Sequence, residues 1–312
     1  MLSIPQIATY ISYIFVIIAY TVKVMKIVRM PPHLRWELYP VPHESAYRYG
    51  GSYYEELDWW TRPRQQNLLR DILYKLKDYF TFPSYYRRNK WYWVGLICWH
   101  VGFYTIVSFH ILSFFGALFI VTTGMEISAT PHNPIGLGIY YLTLVIGAAS
   151  FILGAIGSTV LLIKRATDPE LRAYSTPSAY FNYIFFLVMF VSGLVAWVFF
   201  DPTFSAYREF WQNLITLHYF VPEWATYAHI MLFSFFLIYL PFTRSTHYIT
   251  NIFAFFDVLW DDAPNRRDEM TDRRIGEALA QKVSWSAPHI GKGKTWAEVA
   301  SAMPEDTGRT GK

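Results

Sequence analysis

Hydrophobic and polar positions in this chain separate into blocks. Five apolar stretches, roughly Leu2–Val22, Trp93–Thr122, Ile135–Ile163, Ala179–Phe200 and Ala225–Phe242, are divided by polar segments. A helix needs about 20 apolar residues to cross a hydrocarbon core, and each stretch approaches or exceeds that length. The second runs without Asp, Glu, Lys or Arg from Trp91 to Met125, and the third from Ile127 to Ile163. Such lengths do not suit soluble core helices. The expected fold is therefore an all-α membrane protein, a five transmembrane helix bundle with a cytoplasmic insertion between helices 1 and 2 and a cytoplasmic C-terminal tail. Residues 1–250 form the membrane domain, with 29–90 as the insertion, and 251–312 form a tail that docks a partner.

Charge sets the orientation. Of the 27 Lys and Arg residues, 13 lie in Lys23–Lys90, 3 in Lys164–Arg172 and 10 from Arg244 to Lys312, which leaves only Arg208 on the other side. Basic residues collect on the cytoplasmic side of short loops, so the N-terminus is expected outside and the tail in the cytoplasm, across an inner membrane. The first stretch has no basic residue before its apolar run and carries Lys23, Lys26 and Arg29 after it. That order reads as a retained anchor rather than a signal peptide. The formal charge of +4 is thus a topology signal and gives no support to nucleic-acid binding. With 53% hydrophobic and 20% aromatic residues but a mean hydropathy of only +0.19, the chain has the profile of a membrane protein with aqueous loops.

A single cysteine, Cys98, excludes a disulfide framework and any multi-cysteine iron–sulfur or zinc site carried by this chain alone. It also excludes covalent c-type haem attachment. Beside Trp99, Cys98 reads as a small packing residue.

The apolar blocks carry four histidines, His100 and His110 ten residues apart, and His229 and His247 eighteen apart. At about 1.5 Å and 100° per residue, ten residues rise about 15 Å with an offset near 80°. In one continuous helix, eighteen would rise about 27 Å and return to nearly the same face. Both pairs can face the bundle interior. Spans two and five run antiparallel, so His100 matches His247 on the cytoplasmic side and His110 matches His229 on the outer side. Two imidazoles on facing helices are the usual ligand set of a b haem. One histidine in an apolar helix is as often a satisfied polar residue as a ligand, but four at matching depths on antiparallel spans point to two haem b groups. Gly102 and Gly116 would let a porphyrin approach the backbone, or serve plain helix packing. Arg244 can meet haem propionates or mark the cytoplasmic interface.

The insertion, broken by Pro31, Pro32, Pro40, Pro42, Pro63 and Pro83, mixes Trp, Tyr and both charge signs as an ordered docking surface would. Within it, 67–79 reads as one amphipathic helix lying along the membrane or a partner. Trp59 and Trp60 suit either an interface hot spot or the bilayer surface. The tail becomes charged around Asp261–Arg274 and ends in Gly-, Lys- and Thr-containing sequence expected to be ordered only by a partner. His33, His43 and His289 have no ligand-like companions.

The segments WHVGFYTIVSFHILSFFGAL, with His100 and His110, and AHIMLFSFFLIYLPFTRSTH, with His229 and His247, closely resemble the second and fifth helices of respiratory nitrate reductase gamma subunits. The Pro-Phe-Thr-Arg run before the last histidine is the most specific part, and the resemblance covers about Leu2 to Tyr248. It implies a di-haem cytochrome b, with one haem held by His100 and His247, the other by His110 and His229, and a quinol site beside the outer haem. The inserted RWELYPVPHE and YGGSYYEELDWW are similar to the gamma-type cytochromes of sulfate reducers. Those relatives, in Tmc, Hme and Dsr complexes, have a cytoplasmic iron–sulfur partner resembling the catalytic subunit of heterodisulfide reductase. The same resemblance implies a periplasmic multihaem cytochrome c as a further partner and menaquinone or another quinone as substrate.

The expected function is electron transfer between the quinone pool and that iron–sulfur partner. A cytochrome b anchor for a formate, hydrogen or succinate dehydrogenase is the alternative, and a histidine-relay transporter is a further one. For the quinone, the outer-side polar groups nearest the haem-bearing spans are His132, His218 and Tyr227. Each is a quinone partner or an ordinary residue of the outer surface.

Overall fold

The structure is a computed structural model and describes residues 1–29, 42, 44, 57–58, 61, 67–249, 252, 267–268, 270–287 and 290–302. Trp59 and Trp60, with His33, His43 and His289, lie outside the described residues. The chain forms two compact units, one of Met1–Ala19 with Ile72–Thr243 and one of Tyr20–Asp71 with Arg244–Lys312. Among the described residues the fold is helical, with only isolated bridges Lys282–Thr295 and Ala287–Ile290 and no strand.

Five helices are long and apolar enough to cross a membrane: Ile4–Val28, Lys90–Thr123, Pro134–Thr167, Pro177–Phe200 and Trp224–Phe242. They cover the five stretches expected from the apolar blocks. In chain order the helices are α1 (Ile4–Val28), α2 (Leu68–Thr81), α3 (Pro83–Arg88), α4 (Lys90–Thr123), α5 (Pro134–Thr167), α6 (Pro169–Ala173), α7 (Pro177–Val195), α8 (Ser205–Ile215) and α9 (Trp224–Tyr239). The amphipathic helix expected at 67–79 is α2, whose first turn is capped by the Asn67 side chain accepting from Arg70 N–H at 3.0 Å. Its apolar residues Leu69, Leu73 and Leu76 are exposed.

Local chemistry sets where the spans begin and end. Asn89 caps α4 by accepting from Tyr92 N–H at 3.0 Å, and Gly124, at φ 68°, closes it with an N–H donated to Ile120. Asn133 caps α5 directly before Pro134, whose missing N–H costs nothing in a first turn. The Glu223 carboxylate caps α9, taking the Ala225 and Thr226 N–H groups at 2.5 and 2.9 Å. Span four ends in a π turn, Ala196–Phe200, closed by Asp201 N–H on the Ala196 carbonyl. Span five ends at Pro241, which cannot donate to an α-helix and leaves 3₁₀ turns at Leu240–Phe242 and Arg244–Thr246. The continuous helix that would have put His229 and His247 about 27 Å apart on one face is therefore not formed.

α4 and α5 meet along a seam of small residues. A Cβ on Gly102 would lie 2.4 Å from the Gly154 nitrogen, and one on Gly157 would lie 2.2 Å from the Trp99 nitrogen. Without water there is no hydrophobic gain from bringing two membrane helices together, so close backbone packing supplies the attraction. Of the two roles open to Gly102, close approach to a neighbouring helix is the one its contact with Gly154 shows. Gly116 meets only Ile127 and Ile139, at ordinary contact distance.

α1 is inverted relative to a soluble helix. Its Ile4, Ile7, Ile11 and Ile14 are exposed while Ser3, Gln6, Thr9 and Ser12 are buried. Gln6, 0% exposed, donates from Nε2 to the His218 carbonyl at 2.8 Å, and the Ser3 hydroxyl donates to the Phe220 carbonyl at 2.6 Å. The Tyr10 hydroxyl donates to the Leu214 carbonyl at 2.5 Å. Lipid can solvate an isoleucine but no amide, so the polar groups turn inward to the last turn of α8 and the loop beyond it.

In the second unit, the tail makes its own structure over part of the length expected to depend on a partner. Helix Met270–Leu279 leads to a turn in which Val283 N–H donates to the Lys294 carbonyl at 2.8 Å and Gly293 N–H donates back to the Val283 carbonyl at 2.9 Å. Thr295 and Glu298 then form a reciprocal capping box on helix Trp296–Ser301, and these backbone hydrogen bonds lower the Glu298 carboxyl below its usual range. Val283 and Ile290 are buried inside this turn, and Trp285 lies edge-on to Trp296.

The seam gives a direct prediction. Gly102→Leu or Gly157→Val, each driven into the opposing backbone, should lower thermal stability in detergent by about 3 kcal/mol or more. Gly138→Ala, which meets nothing within 4 Å, should leave it unchanged or slightly raised.

Candidate functional site

Two of the four expected ligands come together in the first unit. His110, on α4, and His229, on α9, are each 3% exposed, and their rings lie 6.2 Å apart at an interplanar angle of 20°. Each is held by one nitrogen. His110 Nδ1 is 2.5 Å from the Tyr207 hydroxyl, and His229 Nδ1 is 3.0 Å from the Ser192 hydroxyl. The other nitrogen, Nε2, is buried in both and has no hydrogen-bond partner. A buried imidazole nitrogen without a partner costs about 1–3 kcal/mol. Two such nitrogens on neighbouring rings make this pair the candidate site for a group that binds both.

That geometry fits an iron between two imidazoles. With metal–nitrogen bonds of about 2 Å, two imidazole centroids on opposite sides of one metal stand roughly 6 Å apart. Among the described residues no group of three or more His, Cys, Asp or Glu is placed to hold a metal ion, so the protein offers a pair rather than a cage. A pair is what a metal already held in a porphyrin requires.

The surroundings are aromatic. Phe233 lies 3.5 Å from His110, Phe151 lies edge-on to His229 at 5.2 Å, and Phe109 stacks on Tyr207 at 5.3 Å. A cleft bounded by Phe109, Phe151, Trp197, Phe204, Tyr207 and His229 opens beside the pair. Phe204, whose φ of 54° is unfavourable for a residue with a bulky side chain, keeps that backbone by burying its ring against Phe109 at 4.7 Å.

α8 positions Tyr207. Its buried Tyr207, Phe210, Trp211 and Leu214 recur at helical spacing, and Asp201 fixes its start by accepting from Tyr207 N–H at 2.9 Å and from the Ser205 hydroxyl at 3.2 Å. Burial pushes the Tyr207 phenol well above its ordinary range, so it stays protonated at neutral pH. Next to it, the one Lys or Arg outside the basic segments, Arg208, is 4% exposed; it donates to the Thr203 carbonyl at 2.9 Å and lies 5.8 Å from the Tyr140 ring.

The other two expected ligands have separate surroundings. His100, half-buried on α4, has Nδ1 2.8 Å from the Leu96 carbonyl and its ring 4.5 Å from Phe82, a residue in left-handed backbone at φ 44°. His247 is exposed in the second unit, its Nδ1 3.1 Å from the carbonyl of Arg244, itself exposed. Of the residues considered for a quinone, His132 is exposed before α5 and Tyr227 is half-buried in the first turn of α9. His218 is exposed and paired through Nδ1 with the Thr216 hydroxyl at 2.9 Å, in the loop that Gln6 ties to α1.

Tyr207 and Ser192 escaped the sequence reading. The apolar stripe of α8 would have pointed to Tyr207 as inward-facing. Nothing in the sequence of span four separates Ser192 from an ordinary packing serine.

The model of the family "Nitrate reductase gamma subunit" matches residues 77–260, more than half of the chain. The chain belongs to the nitrate reductase gamma subunit family. The match takes in α4 to α9 and all four histidines, and it leaves α1 and most of the insertion outside. No curated protein and no solved structure matches this chain. As a member of this family the protein is a multi-pass membrane cytochrome b subunit that works in electron transfer within a redox complex, and its family members are haem b proteins.

Because Tyr207 is the described partner of His110 Nδ1, Tyr207→Phe should leave that nitrogen buried and unpaired. The expected loss is about 1–3 kcal/mol, read by thermal unfolding in detergent. A cost below a few tenths would mean that the pair is not a working hydrogen bond.

Proposed function

We propose that this protein carries electrons between a quinone pool and a cytoplasmic iron–sulfur subunit through two b haems. The observation that carries the proposal is the buried pair His110 and His229, each with Nδ1 held and Nε2 unpartnered. Haem iron held there supplies a one-electron carrier. The residues of the chain do the rest. Tyr207 and Ser192 fix the rings, while Phe109, Phe151 and Phe233 keep water from the pair and so lower the local dielectric, which would help set the potential of an iron held there. His100 and His247 are assigned to the second haem on topology and family resemblance, with Arg244 as a candidate partner for its propionates.

The excess of Lys and Arg in Lys23–Lys90 and from Arg244 onward supports an outside N-terminus and a cytoplasmic tail in the inner membrane. His110 and His229 then belong to the outer side. Quinol oxidised there releases its protons outside while the electrons move inward, which separates charge. His132, His218 and Tyr227 are the proposed hydrogen-bonding partners of the quinone, menaquinone or a relative. The long insertion between spans one and two, together with the tail, supports a heterodisulfide-reductase-like partner in the cytoplasm, with a periplasmic multihaem cytochrome c as the outer one. A histidine-relay transporter fits less well, because the family to which the chain belongs consists of haem b proteins.

Axial pairing is tested by removing one ligand at a time. His110→Ala and His229→Ala should each abolish the same potentiometric haem component, and His100→Ala and His247→Ala the other. Loss of different components from His110→Ala and His229→Ala would show the pairing to be wrong. For the quinone, substitution of the true site residue should slow reduction of the outer haem by quinol while dithionite still reduces it fully. Normal quinol kinetics in His132→Ala, His218→Ala and Tyr227→Phe would exclude all three.

A further inference from the structure

The two outer histidines are held in chemically different ways. The Ser192 hydroxyl lies 3.0 Å from His229 Nδ1 and donates to the Met189 carbonyl at 2.7 Å. A serine hydroxyl has one hydrogen and two lone pairs. With its hydrogen on Met189, Ser192 meets His229 as an acceptor, and the Met189 carbonyl is a second acceptor for the same ring, so the ring proton of His229 sits on Nδ1 and Nε2 keeps a bare lone pair. The environment of Nε2 agrees, being buried with no donor or acceptor to satisfy. Tyr207 places no such restriction on His110. Its hydroxyl oxygen lies within reach of the Trp211 indole N–H, a donor only, and toward His110 Nδ1 the hydroxyl can still donate or accept.

From this difference we infer that Ser192 is a positioning residue, which presets His229 as the Nδ1–H tautomer and strengthens Nε2 as a metal ligand. The inference rests on the haem reading above. An acceptor on the Nδ1–H of a ligating histidine raises the basicity of the ligating nitrogen. Ser192 is a better acceptor than a lone serine, because donating to Met189 polarises its oxygen. A more basic ligand favours the ferric state over the ferrous one, so Ser192 holds the potential of the outer haem down. His110 has no such preset, because its tautomer follows whichever way the Tyr207 hydroxyl points. The preset ligand is therefore His229.

The test uses the whole complex, purified with its haems, and reads redox titration together with the low-spin ferric signals in electron paramagnetic resonance. Ser192→Ala should move one of the two components to higher potential, shift the ferric signal of that same component and leave the other in place. Ser192→Thr, which keeps the hydroxyl and its bond to the preceding turn, should titrate like the unaltered protein. If Ser192→Ala lowers haem content, Ser192→Cys carries the comparison. Its sulfur nearly matches the serine in size but accepts weakly, and the same upward shift is expected. The inference is overturned if Ala and Cys variants titrate unchanged, or if Thr shifts as far as Ala. Absence of any bis-histidine haem signal in the unaltered protein would instead sink the haem reading, and this inference with it.

Discussion

Placing two neutral imidazoles in the apolar interior of a helix bundle is the constraint around which this structure is arranged. Each ring has two nitrogens, and inside a membrane neither can turn to water. The chain satisfies one nitrogen of each ring with its own hydroxyls, from Tyr207 and Ser192, and leaves the second without a partner of its own, the nitrogen we propose for haem iron. Everything nearby serves that division. α8 exists to carry Tyr207 down to His110, Asp201 pins the start of α8, and the π turn that ends span four brings the chain round to Asp201.

The same rule about buried polar groups explains α1. A helix that only anchored the protein would have no reason to bury Ser3, Gln6, Thr9 and Ser12 while exposing a row of isoleucines. By donating to the carbonyls of Leu214 in the last turn of α8 and of His218 and Phe220 beyond it, it fastens α8 and the loop that leads directly into the helix carrying His229. The anchor is therefore a structural brace for the site. The glycine seam between α4 and α5 has a parallel role: it fixes α4, and with it the height and direction of His110, against a neighbour packed backbone to backbone.

Much of this was legible in the chain itself. The five spans follow from runs of apolar residues measured against one length, that of the bilayer core. The caps at Asn89, Asn133 and Glu223 are local, as are Gly124 and the effect of Pro241, although the proline was passed over when His229 and His247 were placed on one helix. The spacing of His110 and the presence of His229 on an antiparallel span were enough to bring these two together. The tail between Met270 and Ser301 looked dependent on a partner because its composition is polar, yet a capping box, a few backbone hydrogen bonds and the buried Val283 and Ile290 give it structure of its own.

By itself the sequence determined the number and extent of the membrane spans and the family, and it named the candidate haem ligands, because hydrophobic length and ligand chemistry are properties of single segments. Only the tertiary structure decided which hydroxyl holds which imidazole, that Gly102 faces a neighbouring helix, and that α1 turns its polar side inward. Those outcomes depend on which faces of different helices meet. Serine 192 and tyrosine 207 carry no mark of their role in one dimension. A hydrogen bond spanning 37 or 97 residues exists only once the bundle has closed around it.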